Sequence, residues 1–223
     1  MVLAGVMLKL GTYGILRYGR WALATGSTVI FSFLIWGGLL ACLAIASQAD
    51  LKGFAAYRSV VHMRLATAAL FTWGSLGAKA AFLVALGHGF SSSALFCVVG
   101  VAQERGRSRN AILLTGLRTL GRGAFLALFA IFFASNGAPP FFSFWGEMGT
   151  ILAVGLRAGP LAYLIALGAG VICPAVYFMA YFRSVRRRPT IRLSPVSARS
   201  LLILLCHVIT MVLFFVFVGP LLP

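Results

Sequence analysis

The sequence predicts an all-α membrane protein, a polytopic bundle of about seven transmembrane helices forming one membrane domain over residues 1–223. Of the 223 residues, 61% are hydrophobic and only 10% are charged, whereas a soluble domain carries about 25% charged residues. Apolar stretches of about 20 residues recur along the chain, and a helix of that length crosses the hydrocarbon core of a bilayer. Most arginines lie in short segments between these stretches. That placement is typical of membrane topology, whereas nucleic-acid binding needs a polar basic face, so we expect no nucleic-acid partner.

Seven apolar segments predict the spans, and the fifth is predicted to be broken. It is too long for one straight helix, and Pro139 and Pro140 interrupt it near the middle. Proline removes a backbone donor and clashes with the preceding turn, so the helix should break there. A broken helix at membrane depth is tolerated only where it is buried in protein or lines a wet cavity. The predicted spans are 1–17, 26–47, 54–74, 79–101, 112–155, 159–182 and 200–222.

The first segment is interpreted as a span of the mature protein. No basic region precedes it, and Lys9 interrupts it, unlike a secretory signal peptide. A signal peptide cleaved after the small residues Ala22 and Ala24 is the alternative.

The basic residues of the connections predict the orientation, because they accumulate on the cytoplasmic or matrix side. We expect the richer side, with the N-terminus, to face the mitochondrial matrix, or the cytoplasm of a bacterium, and the C-terminus to face the intermembrane space. The hydrophilic loop 183–200 is expected to contact anionic membrane lipids. The poorer side carries Arg17, Arg20, Lys79 and Arg157. The richer side carries Lys52, Arg58, Arg105, Arg107, Arg109, Arg183, Arg186, Arg187, Arg188, Arg192 and Arg199.

Lys9 and Glu147 are charged residues inside apolar spans. Such a group costs roughly 2.5–3.5 kcal/mol to insert, and it usually marks an ion or proton pathway. Lys9 lies deep for a lysine that snorkels to the interface, which is the alternative. Glu147 follows Pro140 by about two helical turns, and a carboxylate stabilised by a helix dipole is the alternative there. We interpret both residues as proton-carrying sites.

Histidines and a second lysine extend this set. His88 lies mid-span beside Gly89 and three serines, and an imidazole relays protons through its two ring nitrogens. A histidine held by a backbone carbonyl is the alternative. His62 lies nearer the basic end of its span, and Lys79 opens the fourth span where it can snorkel, so both are weaker candidates for the path. Lysine, histidine and glutamate on separate spans are the groups that proton conduction needs.

The cysteines do not indicate a redox or metal site. Cys42, Cys97, Cys173 and Cys206 all lie in apolar segments, and the sequence has no C-x-x-C pair. No Cys/His cluster has the spacing of metal ligands. We therefore expect no metal and no cofactor in this chain.

Four stretches, read together, resemble a known family. The stretches "MVLAGVMLKLGTYGILRYG", "SQADLKGFAAYRSVVHM", "GHGFSSSALFCVVGVAQERGRSR" and "NGAPPFFSFWGEM" occur in the order found in the chain 4 family of NADH dehydrogenase. These are antiporter-like, proton-pumping subunits of respiratory complex I. The resemblance covers nearly the whole chain. It implies proton translocation coupled to NADH:ubiquinone oxidoreduction, with NADH, FMN, iron–sulfur clusters and ubiquinone bound by other subunits.

The resemblance also implies roles for matching positions. Lys9, His88 and Glu147 match the polar proton-carrying axis of the family, and His62 matches a further histidine of it. The sister chains 2 and 5 carry a lysine where this chain has Glu147, so the glutamate favours chain 4.

Its partners would be the other membrane-arm subunits in the mitochondrial inner membrane. The chain resembles only the second half of a family member. We therefore expect a split gene whose separate polypeptide supplies the first half, and a truncated sequence is the alternative. A structural membrane subunit and a cation/proton antiporter subunit are the alternative functions.

Overall fold

The computed structural model confirms an all-helical fold and describes residues 2–22, 27–72, 74–108, 110, 121–186 and 195–218. No strand occurs in these described ranges. A short π-helical segment, Leu3–Met7, leads into the first α-helix. The α-helices are α1 Leu8–Ala22, α2 Ser27–Ala46, α3 Leu51–Leu70, α4 Ser75–Gly106, α5 Arg122–Ser135, α6 Ser143–Ala158, α7 Pro160–Arg186 and α8 Ala198–Val218.

The apolar composition of these helices makes the chain a multi-pass membrane protein. Among the described residues, three helical stretches are long and apolar enough on their own to cross a bilayer: Val29–Ala46, Ser75–Gly106 and Ala198–Phe217. Many large apolar side chains on α2 and α8, such as Val29 and Phe217, are exposed. In water this surface would be unfavourable, but lipid tails cover it at no such cost.

The predicted break at Pro139 and Pro140 separates α5 from α6. α5 ends at Ser135 and α6 begins at Ser143, so a seven-residue turn interrupts the path. The Ser143 hydroxyl donates a 2.6 Å hydrogen bond to the Ala134 carbonyl and so joins the two halves across the break. The beginning of the predicted fifth span, 112–120, lies outside the described residues, as do residues 187–194 of the loop 183–200.

Close packing of α4 against α6 forms the centre of the bundle. Gly146 on α6 lies directly against the backbone of Val84, and Gly87 on α4 lies against Ser143. Glycine at these positions lets two helix backbones approach, as is common between membrane helices. α3 packs on α4 and α6, and α1 with its π-helical start packs on α4. The side chains between these four helices therefore meet in the interior.

Candidate functional site

Four helices bring one lysine, two histidines and one glutamate into a line. Lys9 on α1 points its Nζ at Nδ1 of His88 on α4, at 3.0 Å. The His88 ring lies 6.1 Å, centroid to centroid, from the ring of His62 on α3. His62 Nδ1 lies 3.2 Å from Oε1 of Glu147 on α6. We call these four residues the ionisable row.

The ionisable row is largely shielded from the surroundings. His88 is only 4% exposed, and His62 is 8% exposed. The Glu147 side chain is 13% exposed, and Lys9, at the other end, is partly buried. In such an interior, charges and hydrogen bonds act more strongly on each other than they do in water. A change in the protonation of one member will therefore be felt by the next.

Two glycines make room for the charged ends of the row. A side chain at Gly89 would contact the Lys9 stem, at 3.5 Å from its Cε, and also the Gly5 carbonyl at 3.3 Å. Gly137, in the turn between α5 and α6, has a φ of 62°, which favours glycine. Its Cα lies against the Glu147 carboxylate, which would overlap any side chain placed there. The helix break thus provides the surface on which the carboxylate rests.

A small cavity lies beside the histidines and the glutamate. Its volume is about 10 Å³, which is about the space that one buried water needs. Three serines line it together with both histidines and the glutamate, so polar side chains make up most of its wall. The cavity is lined by His62, Val84, His88, Ser91, Ser135, Ser143 and Glu147.

The structure brings some of the predicted site residues together and leaves others apart. Lys9, His88 and Glu147 come together with His62, which is not peripheral but lies between His88 and the carboxylate. Lys79 lies exposed in the first turns of α4. It precedes His88 by nine residues, about 13 Å along the helix, and it does not line the cavity. Pro139 and Pro140 are exposed, so they break the helix and do not line the site.

Arg58 was missed as an interior residue. The charge count places it in a connection between spans, but the structure places it within α3 and only 2% exposed. Its spacing of four residues from His62 was the available signal, because residues at i and i+4 share a helix face. Its helix, α3, packs on α4, which carries His88.

Among the described residues, no group of three His, Cys, Asp or Glu side chains could hold a metal ion. What the ionisable row can do is hold and transfer protons, since each of its members gains or loses one.

The family assignment rests on residues that include the whole row. A family model described as "NADH:quinone oxidoreductase/Mrp antiporter, TM" matches residues 1–173. The chain belongs to this family. The NADH-ubiquinone oxidoreductase chain 4 of Tropidolaemus wagleri is 35% identical over 219 residues, which cover 96% of this chain and 94% of that sequence.

Two solved structures share the fold. A chain of respiratory complex I from Thermus thermophilus superposes with a TM-score of 0.87 at 21% identity, over 95% of this chain and 46% of that one. A chain of an archaeal membrane-bound sulfane sulfur reductase superposes with a TM-score of 0.84 at 20% identity, over 98% and 46%. The chain thus spans about half the length of the solved chains that it matches.

Proposed function

We propose that this chain is a proton-translocating membrane-arm subunit of an NADH:ubiquinone oxidoreductase. The observation that carries the proposal is the ionisable row, in which Lys9, His88, His62 and Glu147 approach one another from four different helices. Ionisable groups are costly inside a membrane and mark pathways there. The family assignment and the name of the Tropidolaemus wagleri relative support the same function.

The geometry suggests how a proton passes along the row. The Lys9 ammonium donates a hydrogen bond to Nδ1 of His88, so a proton can pass to that nitrogen while the opposite nitrogen releases one. His62 can take up this proton, directly or through a water in the cavity, and pass one from Nδ1 to Glu147. No residue of the row is itself oxidised or reduced in this series of proton transfers. The electron transfer from NADH to ubiquinone would take place in other subunits, which bind NADH, FMN, iron–sulfur clusters and ubiquinone.

The same proposal includes the surroundings of the chain. Its partners are the other membrane-arm subunits and a separate polypeptide that supplies the half of the solved chains not matched here. It lies in the mitochondrial inner membrane with its N-terminus on the matrix side and its C-terminus on the intermembrane-space side. The distribution of basic residues in the sequence supports this orientation.

The test replaces Glu147 by glutamine in the assembled complex and measures protons moved per NADH oxidised in sealed vesicles. Glutamine keeps the size of the side chain and cannot carry the proton, so Glu147→Gln is expected to lower the ratio. Glu104→Gln is the matched control, because Glu104 lies exposed in the last turns of α4. The control is expected to keep the wild-type ratio.

A subunit that only braces the membrane arm gives a different result. In that case Glu147→Gln and Lys9→Met would reduce the amount of assembled complex or change nothing, and the ratio per assembled complex would stay constant. An unchanged ratio in both variants would end the assignment of the row as a proton carrier.

A further inference from the structure

Arg58 is a buried, permanent positive charge that the proton transfer described above does not use. An arginine side chain stays protonated in proteins, so this charge does not come and go with the protons of the row. At 2% exposure the guanidinium is held inside the bundle and does not reach the lipid interface.

The position of Arg58 relates it to both histidines. It precedes His62 by four residues on α3, so the two side chains share a helix face one turn apart. α3 and α4 are consecutive and packed on each other. Arg58 lies twelve residues before Leu70, the end of α3, and His88 lies thirteen residues after Ser75, the start of α4. Arg58 and His88 therefore lie at nearly the same level along the two helices of this hairpin.

Several charged or ionisable groups surround the His88 ring. Lys9 faces its ring at 3.0 Å, the His62 ring lies 6.1 Å from it, and Arg58 is buried on the neighbouring helix α3. The carboxylate of Glu147 contacts His62 instead. A proton added to His88 thus meets a fixed cation at its own level, while the negative charge lies one member further along the row.

The other arginine of α3 is placed differently. The guanidinium of Arg64 packs on the ring of Phe33 at 5.1 Å and lies within 3.4 Å of the Phe33 carbonyl, on α2. One arginine of this helix therefore faces the row, and the other faces α2.

We propose that Arg58 is an electrostatic barrier that keeps the ionisable row from conducting protons while the complex is idle. A fixed positive charge beside a proton path excludes protons and cations, as arginine does in water-selective pores. In the resting complex Arg58 makes an extra proton on His88 short-lived. During turnover, a change at Lys9 or Glu147 drives the proton past it. The inference rests on the proposed function, because a barrier matters only if the row conducts.

The test measures passive proton entry into liposomes that contain the purified complex, under an imposed pH gradient and without NADH. Arg58→Gln removes the charge and is expected to increase the leak per complex several-fold. Arg58→Met is made alongside, because its unbranched stem keeps most of the packing of the arginine stem. Arg58→Lys keeps a positive charge and is expected to leak as the wild type does.

Two controls separate a barrier from a packing effect. Arg64→Gln removes a positive charge from the same helix and is expected to leave the leak unchanged. The double variant Arg58→Gln/Glu147→Gln is expected to lose the extra leak, because its path ends at the missing carboxyl group. A loosened bundle would instead leak potassium as well as protons, and Glu147→Gln would not suppress that leak.

The outcomes also distinguish this inference from the proposed function. If Arg58→Gln and Arg58→Met show the wild-type leak while Glu147→Gln still lowers the proton yield, the row conducts and Arg58 is not its barrier. If Glu147→Gln leaves the number of protons moved per NADH unchanged, the proposed function itself is refuted, whatever the leak of the Arg58 variants. An extra leak that persists in the double variant, or that admits potassium, overturns the barrier as well.

Discussion

Replacing Gly146 by alanine should separate the two helices that carry His88 and Glu147. The new Cβ would lie 2.7 Å from the Val84 backbone nitrogen, with the Val84 Cγ2 and the Leu83 carbonyl carbon at 2.9 and 3.1 Å. Since ordinary carbon contacts begin near ~3.5 Å and a backbone atom cannot rotate aside, α6 must move away from α4 by about 0.5–1 Å. Overpacking of this kind costs about 1–3 kcal/mol of stability.

That displacement would reach the ionisable row directly. Glu147 follows Gly146 in the sequence, and its contact with His62 is already 3.2 Å long, at the upper end of the hydrogen-bond range. A misplacement of about 1 Å in a reacting group can lower a rate by about 100-fold. We therefore expect Gly146→Ala to lower both the protons moved per NADH and the thermal midpoint of the assembled complex.

Gly100→Ala provides the matched comparison. Gly100 is also a helical glycine, on α4, but a Cβ added there meets no atom within 4 Å. Alanine is about 1 kcal/mol more favourable than glycine inside a helix, so this variant should keep the proton yield and be as stable as the wild type or slightly more so. Both quantities are measured on liposomes with the reconstituted complex. Equal results for the two variants would refute the packing argument for α4 and α6.

Three further predictions concern the ends and the surroundings of the row. Gly137→Ala places a methyl group where the Glu147 carboxylate lies and forces alanine to a φ of 62°, at about 1–2 kcal/mol. The number of protons moved per NADH should fall toward that of Glu147→Gln. A wild-type number would show that the carboxylate does not need its position against Gly137. Ser143→Ala removes the 2.6 Å bond to the Ala134 carbonyl of α5, which keeps only a 3.4 Å bond from the Gly137 N–H, so calorimetry should show a loss of about 0.5–1.5 kcal/mol; an unchanged midpoint would mean that water replaces the hydroxyl. Lys79→Gln should leave proton yield unchanged, because Lys79 is exposed and distant from the row; a clear loss would place it on the path.

The fold was predictable to the extent that it depends on local sequence. Apolar segments of about bilayer length predicted the helices, because the backbone polar groups of a span must bond within the span. The two prolines predicted the break, because proline cannot continue a helix. Which helix lies against which depends on contacts between distant parts of the chain, such as Gly146 with Val84, and no local pattern contains that information.

The site was predictable in its members more than in its order. Lys9, His88 and Glu147 were recognisable because an ionisable group is costly inside an apolar span and usually marks a pathway. The central place of His62 was not, since its position nearer the basic end of its span made it a weaker candidate for the path. Arg58 was missed for a related reason: counting charges assigns a basic residue near a helix start to topology, and only the packing of α3 on α4 turns it inward.

The proposed transfer needs the two histidines of the row to hold their hydrogens on opposite ring nitrogens. To accept from Lys9 at Nδ1, His88 must carry its own hydrogen on Nε2, whereas His62 must carry its hydrogen on Nδ1 to donate to the Glu147 carboxylate. A proton that travels from Lys9 to Glu147 enters each ring at one nitrogen and leaves from the other. Both rings then finish in the reverse tautomer, and neither can pass a second proton in the same direction. In the proposed transfer the row therefore delivers one proton and stops until both rings have been reset, so the number of protons moved would equal the number of resets.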